Sequence, residues 1–183
     1  MQYLWLTLPQ AWEIARHALA DAPNEACGII GGRDGRATHT IPTPNIAAEP
    51  ATHYTLDPSA LVKALMAFQQ DDLDIIGFYH SHPHDEPIPS ATDVALATYP
   101  DTAYVIVGLK DGEPELAAWT INYGDVQSLP LHIGNDAPDV EPAPLSPPQK
   151  LAIVVSAALA FAVLVVISLT LLPPAPEIIL SAP

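Results

Sequence analysis

The sequence predicts an α/β domain, a mixed β-sheet flanked by helices, followed by a single C-terminal transmembrane helix. Three observations carry this. Over residues 1–133, apolar runs of strand length alternate with three segments of helical period, the pattern of a mixed α/β sandwich. Residues 134–149 turn proline-rich and acidic and read as a linker. Residues 150–172 read as the transmembrane helix, because 151–172 give 22 consecutive positions without a charge, and a short proline-rich tail, 173–183, follows.

Composition limits what the domain can do. Six Lys+Arg against 21 Asp+Glu give a formal net charge of −15, which argues against nucleic acid as a partner, because neutralising phosphates takes a basic face. The single cysteine can form no internal disulfide, so the fold must rest on its core. About 130 residues are enough to bury one. The N-terminus does not read as a signal peptide, since no basic residue precedes Tyr3-Leu4-Trp5-Leu6 and Pro9 follows soon after.

Tyr3-Leu4-Trp5-Leu6 is a first short strand. Thr7 with Gln10 forms a capping box, and Leu8, Trp12, Ala15 and Leu19 recur at helical spacing up to Pro23, giving an amphipathic helix against the sheet. Residues 27–32 read as a buried strand entering a glycine turn, and 37–46 as another strand broken by Pro42 and Pro44. Asp57-Pro58 starts a second helix with the stripe Leu61, Leu65 and Phe68, ending near Gln70. Residues 75–79 and 103–109 are central strands, the latter closed by the turn signal Asp111-Gly112. A strand over 115–123 and a weaker one over 126–131 complete the domain.

At roughly 3.1 Å per residue, the 16-residue linker reaches at most about 50 Å. The apolar run is about 33 Å long as a helix, enough to cross a hydrocarbon core. A buried helix of a small domain would not stay uncharged on every face for six turns. Lys150 precedes the span while the tail carries Glu177 and no basic residue, so the positive-inside rule places the domain in the cytoplasm.

The chemistry lies in the stretch from Gly77 to Asp93. Residues two apart on a strand share a face, so His80 and His82 can aim both imidazoles at one point. Pro83, Pro87 and Pro89 stiffen the following loop, and Ser90 opens a short helix whose first turn holds Asp93, able to return a carboxylate to the histidines. Two histidines and a carboxylate make an open three-ligand site suited to Zn²⁺, with the fourth position left for water. Ser90-Ala91-Thr92-Asp93 is equally an S-x-x-D capping box in which Asp93 only satisfies backbone N–H groups. Spacing alone leaves both open.

H-S-H-P followed by S-x-x-D, with seven residues between His82 and Ser90, resembles the JAMM motif of the MPN-domain (JAMM/MPN+) metallopeptidases, in their bacterial and archaeal branch. The upstream glutamate of that motif is matched by Glu25 in Pro23-Asn24-Glu25-Ala26-Cys27-Gly28, and the resemblance extends over roughly residues 8–123. It implies an MPN fold, Zn²⁺ held by His80, His82 and Asp93, and Glu25 as general acid/base. Ser90 can then donate its hydroxyl to the oxyanion as well as cap. Cys27 shares the strand face of Glu25, so its thiolate would be a strong fourth ligand, although packing beneath the site suits a small buried residue equally. His84 is expected to face solvent, and His17, His39, His53 and His132 carry no assigned role. The resemblance implies a zinc-dependent metallopeptidase or isopeptidase acting at the C-terminal tail of a ubiquitin-like or sulfur-carrier protein, here tethered to the membrane. The alternatives are a non-catalytic membrane-anchored MPN binding module and a zinc hydrolase of a small-molecule amide.

Overall fold

Strand parity divides the core of the domain between two helices. A computed structural model describes residues 1–138 and 146–171; the expected tail, 173–183, and positions 139–145 of the expected linker lie outside the described residues. The strands β1 (Leu4–Leu6), β2 (Cys27–Arg33), β3 (Arg36–Thr43), β4 (Asp74–His82), β5 (Ala103–Gly108), β6 (Glu115–Asn122), β7 (Asp125–Leu129) and β8 (Leu131–Ile133) form one sheet, ordered β7-β6-β5-β4-β2-β3-β1-β8. It is mixed as expected: β1 runs parallel to β3 and β8, β4 parallel to β5, and the other neighbours are antiparallel.

The helix α1 (Leu8–Asp21) covers one face, where Ile14 and Ala18 pack with Leu4, Leu6, Ile30, Tyr79, Val105 and Val107. The helix α2 (Pro58–Gln70) covers the other, where Ala64 and Phe68 pack with Ile29, Phe78, Tyr104 and Ile121. Adjacent residues of one strand, Ile29 and Ile30 or Phe78 and Tyr79, thus serve opposite layers, as the pleat requires. Each fully buried side chain of this size contributes roughly 1.5–3 kcal/mol. The glycines of β2 let the layers close: a Cβ on Gly28 would lie 2.3 Å from the Tyr79 ring, and one on Gly31 2.3 Å from the Phe68 ring.

Four details differ from the sequence reading. Helix α1 has its capping box at Thr7 and Gln10, but its buried residues are Ala11, Ile14, Ala15 and Ala18. Leu8, Trp12 and Leu19 are exposed, Trp12 at 65%. The small alanines admit close approach to the sheet, which the larger stripe would not. On α2, Phe68 is buried but Leu65 is 41% exposed, and Ala64 takes the inner place. Strand β2 continues through Gly31 and Gly32, and the turn falls at Asp34-Gly35, both at positive φ (52° and 79°), where a two-residue hairpin needs left-handed residues.

The weak strand over 126–131 is two strands at opposite edges of the sheet. Pro130 ends β7 beside β6, and β8 crosses to pair with β1, where the Leu4 amide donates to the Pro130 carbonyl (2.9 Å) and Trp5 Nε1 to the Gly134 carbonyl (2.7 Å). The first compact unit of the chain is Met1–Pro138. The second holds α4 (Pro147–Thr170), about 36 Å long at 1.5 Å per residue, begun at Ser146, whose amide donates to Gln149 Oε1 (2.9 Å). By length and composition α4 is long and apolar enough to cross a membrane.

Candidate metal centre

The antiparallel register of β2 and β4 places Cys27 opposite His80 and Gly28 opposite Tyr79, so Glu25, two residues before Cys27, comes level with His82. Opposed residues share a face, and Glu25, Cys27, His80 and His82 therefore lie on the α2 side at one end of the sheet's central strands. The pin that holds this end together escaped the sequence reading. Ser81, fully buried on the opposite parity, accepts the Ala26 amide at its Oγ (2.8 Å) and donates its own amide to the Ala26 carbonyl (3.0 Å).

The third converging side chain comes from α3 (Ala91–Leu96). Ser90 caps it, accepting the Asp93 amide at 3.1 Å, while Asp93 Oδ2 accepts the Ser90 amide at 2.7 Å. The same carboxylate turns to the histidines: Oδ1 lies 3.3 Å from His80 Nε2 and Oδ2 3.3 Å from His82 Nε2, and the two Nε2 atoms are 3.1 Å apart. Capping and convergence are thus performed by one side chain at once.

A tetrahedral ion with bonds of roughly 2.0–2.1 Å keeps its donors about 3.3 Å apart. The 3.1 Å between the two Nε2 atoms fits that edge, and each nitrogen lies 3.3 Å from one oxygen of the Asp93 carboxylate. The tautomer fits as well. His82 Nδ1 donates to the Glu86 carbonyl at 3.0 Å, which turns its Nε2 to the cluster and frees that atom to bind a metal once its proton is lost. His80 is held by its neighbour Tyr54, whose ring stacks on it at 4.4 Å and 19°. His80, His82 and Asp93 form the group of donors within metal-holding distance among the described residues.

Burial and hydrogen bonds set the charges. Burial works against ionised Asp93, but hydrogen bonds from His80, His82 and Ser90 outweigh it and hold the carboxyl well below its usual range. Fully buried His80 is pushed below its ordinary pKa, favouring the neutral, metal-binding ring. His82, also opposed by burial, lies above its ordinary value because Asp93 and the Glu86 carbonyl accept from it. Glu25 is 6% exposed, and burial pushes its carboxyl up to about 7, with His82 pulling it down and Asp93 pushing it up. A carboxyl poised near neutrality can both take and return a proton.

Glu25, Thr52, His82, His84 and Ser90 line one cleft of about 160 Å³. A second cavity, of about 320 Å³ and with Asp93 in its lining, is walled mainly by Tyr54, Leu56, Leu61, Phe78, Leu96 and Tyr99. Cys27 is not among the converging donors: its Sγ sits 3.5 Å from Thr43 Oγ1 and 3.6 Å from the Thr43 carbonyl, and burial pushes its thiol up, against the thiolate a fourth ligand would need. His84 is exposed, and His17 serves Tyr79 and Asp21 on the α1 side. Tyr54 and the Glu86 carbonyl escaped a reading based on ligand spacing, because neither is a donor and a loop brings each to the site.

An open donor set beside a buried proton-carrying carboxyl suits hydrolysis better than storage of a metal, and the sheet that holds it is that of the JAB/MPN peptidases. The chain belongs to this family, in its prokaryotic branch: the pattern of prokaryotic homologs of the JAB domain matches residues 9–122. It is an enzyme of the JAMM type, a hydrolase. Over 105 residues it is 42% identical to the desampylase of Haloferax volcanii, covering 56% of this chain and 75% of that one. Over 120 residues it is 39% identical to the CysO-cysteine peptidase of Mycobacterium tuberculosis, covering 64% and 82%. The solution structure of a Desulfitobacterium hafniense protein, 29% identical, superposes with a TM-score of 0.66 over 73% of this chain and 94% of that one.

Proposed function

We propose that this chain is a membrane-tethered zinc peptidase or isopeptidase that hydrolyses the amide bond at the C-terminal tail of a ubiquitin-like or sulfur-carrier protein. The observation that carries it is the convergence of His80 Nε2, His82 Nε2 and the Asp93 carboxylate, the nitrogens 3.1 Å apart and each 3.3 Å from one carboxylate oxygen, in the same site as buried Glu25. His80, His82 and Asp93 would hold Zn²⁺, which supplies a Lewis acid that polarises a carbonyl and acidifies water. Glu25 takes the proton of the attacking water and returns it to the departing amine nitrogen, a shuttle its pKa of about 7 supports. Ser90 Oγ accepts the Asp93 amide, which leaves its own proton free to be donated to the developing oxyanion. Such a contact is worth about 10²–10³ in rate.

The substrate class is supported by the relatives, a desampylase and a CysO-cysteine peptidase, and by the shape of the site. With the scissile carbonyl of a slim tail at the donor set, the aromatic cavity lined by Asp93 can accept an apolar side chain of the same tail. The apolar helix α4 supports the membrane tether, and Lys150 ahead of its charge-free run supports a cytoplasmic domain.

The test is cleavage of a sulfur-carrier protein whose Gly-Gly terminus is extended by one cysteine, followed by intact mass, with wild type, Glu25→Gln and a chelated sample. Release of the cysteine by wild type alone is the expected result. Zinc binding without cleavage of any Gly-Gly-ended protein, but with turnover of dipeptides, would replace the tail by a small-molecule amide. Recovery of the full chain in the soluble fraction after carbonate extraction would remove the tether.

A further inference from the structure

A polar hub outside the donor set joins the two sides of the site. Asn45 stands just after β3, at the head of the loop 46–55. Its Nδ2 donates to the carbonyls of Glu25 (2.9 Å) and His53 (3.0 Å), with the Pro50 carbonyl at 3.5 Å. Its Oδ1 accepts the amides of Ala47 (3.0 Å) and Thr55 (3.1 Å). Both donors and both acceptor sites of the amide are therefore in use. The surrounding backbone closes the same knot: the Glu25 amide donates to the Pro50 carbonyl (2.7 Å) and the Ile46 amide to the Thr55 carbonyl (2.9 Å). The loop so gathered carries Tyr54, stacked on His80, and its residues His53, Tyr54 and Thr55 line the aromatic cavity beside Asp93.

We propose that Asn45 is a positioning residue for Glu25, fixing the backbone of the proton carrier to the loop that walls the cavity. Glu25 stands two residues before β2, outside the ladder that holds Cys27 onward, and the bonds of its own amide and carbonyl go to this loop. Placement of Glu25 and shape of the cavity are then one property, and an occupant pressing on Tyr54 acts on Glu25 through Asn45. The inference rests on the reading of Glu25 as the proton carrier.

Asn45→Asp separates the two halves of the hub. A carboxylate still accepts from Ala47 and Thr55 but cannot donate to the Glu25 and His53 carbonyls; Asn45→Ala loses everything. The experiment uses the full chain in detergent micelles, wild type and both variants. It reads zinc stoichiometry, hydrogen exchange of the peptides containing Glu25 and the loop 46–55, and steady-state cleavage of the cysteine-extended sulfur-carrier protein. All three proteins should hold one zinc. The Glu25 amide should exchange at least about tenfold faster in both variants, while Ala47 and Thr55 stay protected in Asn45→Asp only. In Asn45→Asp kcat should fall on the order of 10²-fold with KM within about threefold, as for a misplacement of about 1 Å. Unchanged protection at Glu25 in Asn45→Ala overturns the proposal, as does an unchanged kcat once that protection is lost. Loss of zinc in both variants overturns it too, since Asn45 touches none of the donors. A wild type that binds zinc without cleaving counts against the proposed function alone, and exchange at Glu25 then decides whether Asn45 positions it.

Discussion

Replacing Glu25 with Gln exchanges a buried carboxyl for an amide of the same shape that cannot ionise, and in the metal-free protein this should stabilise the fold above neutral pH. Burial raises the folded pKa of Glu25 from 4.5 to about 7. A carboxyl raised in this way favours the folded state while protonated, so its contribution is fully present below about pH 4.5 and is lost as pH rises through about 7. At 1.36 kcal/mol per unit, the 2.5 units between these values amount to about 3 kcal/mol. Subtracting wild type from variant removes what groups independent of Glu25 contribute and leaves Glu25 together with its coupling to His82 and Asp93. Urea unfolding of chelated protein at a series of pH values from 4.5 to 8.5 measures it, with the slope m compared to confirm that one transition is followed. The stability difference, variant minus wild type, should grow by about 3 kcal/mol across that range and shrink when zinc is restored, because a cation favours the carboxylate. A difference independent of pH would refute the reasoning, since it would mean that Glu25 ionises as freely in the folded chain as in the unfolded one.

Asp93→Asn keeps an oxygen for the Ser90 amide but removes the charge, so the short helix should persist while zinc, measured by inductively coupled plasma mass spectrometry, falls from one per chain to a small fraction; zinc retained at wild-type stoichiometry would leave Asp93 a cap only. Gly28→Ala puts a Cβ 2.3 Å from the Tyr79 ring and should cost about 1–3 kcal/mol in urea unfolding, with an unaltered midpoint refuting the close packing of that layer. A chain ending at residue 138 should be soluble without detergent, whereas one ending at residue 129 loses the β1–β8 ladder and, besides it, the bonds of the Leu4 amide, Trp5 Nε1 and the Leu6 carbonyl, and should unfold at least about 3 kcal/mol less stable, at roughly 1 kcal/mol per bond. Trp12→Ser should change stability by no more than about 0.5 kcal/mol, because Trp12 is 65% exposed; a loss of several kcal/mol would return Trp12 to the buried face.

Local sequence determined the elements and much of the donor set. Proline, caps and alternation mark α1, α2, the central strands and the apolar helix, because hydrophobic period and end chemistry are properties of short segments. His80 and His82 were legible as a pair because strand parity alone puts them on one face, whereas Asp93 read equally as a cap until the motif resemblance marked it as a donor. Which face of α1 is buried was not legible: Leu8, Trp12 and Leu19 are the larger side chains, but contact with the sheet favoured the alanines that allow closer approach. Nor was the split at Pro130, since nothing local says that three residues after a proline will cross to the far edge and pair with β1.

Period, caps and motif thus mark out an α/β domain with His80, His82, Asp93 and Glu25, followed by an apolar helix. The motif resemblance already singles out Glu25; its depth, its raised pKa and its tie to Tyr54 come from the fold. The antiparallel register of β2 and β4 brings Glu25 level with His82, 57 positions later, and burial there lifts its carboxyl toward neutrality. The knot of Asn45 carries Tyr54 to His80 and closes the aromatic cavity. Register and burial are relations between distant segments, and no period or motif within one segment encodes them.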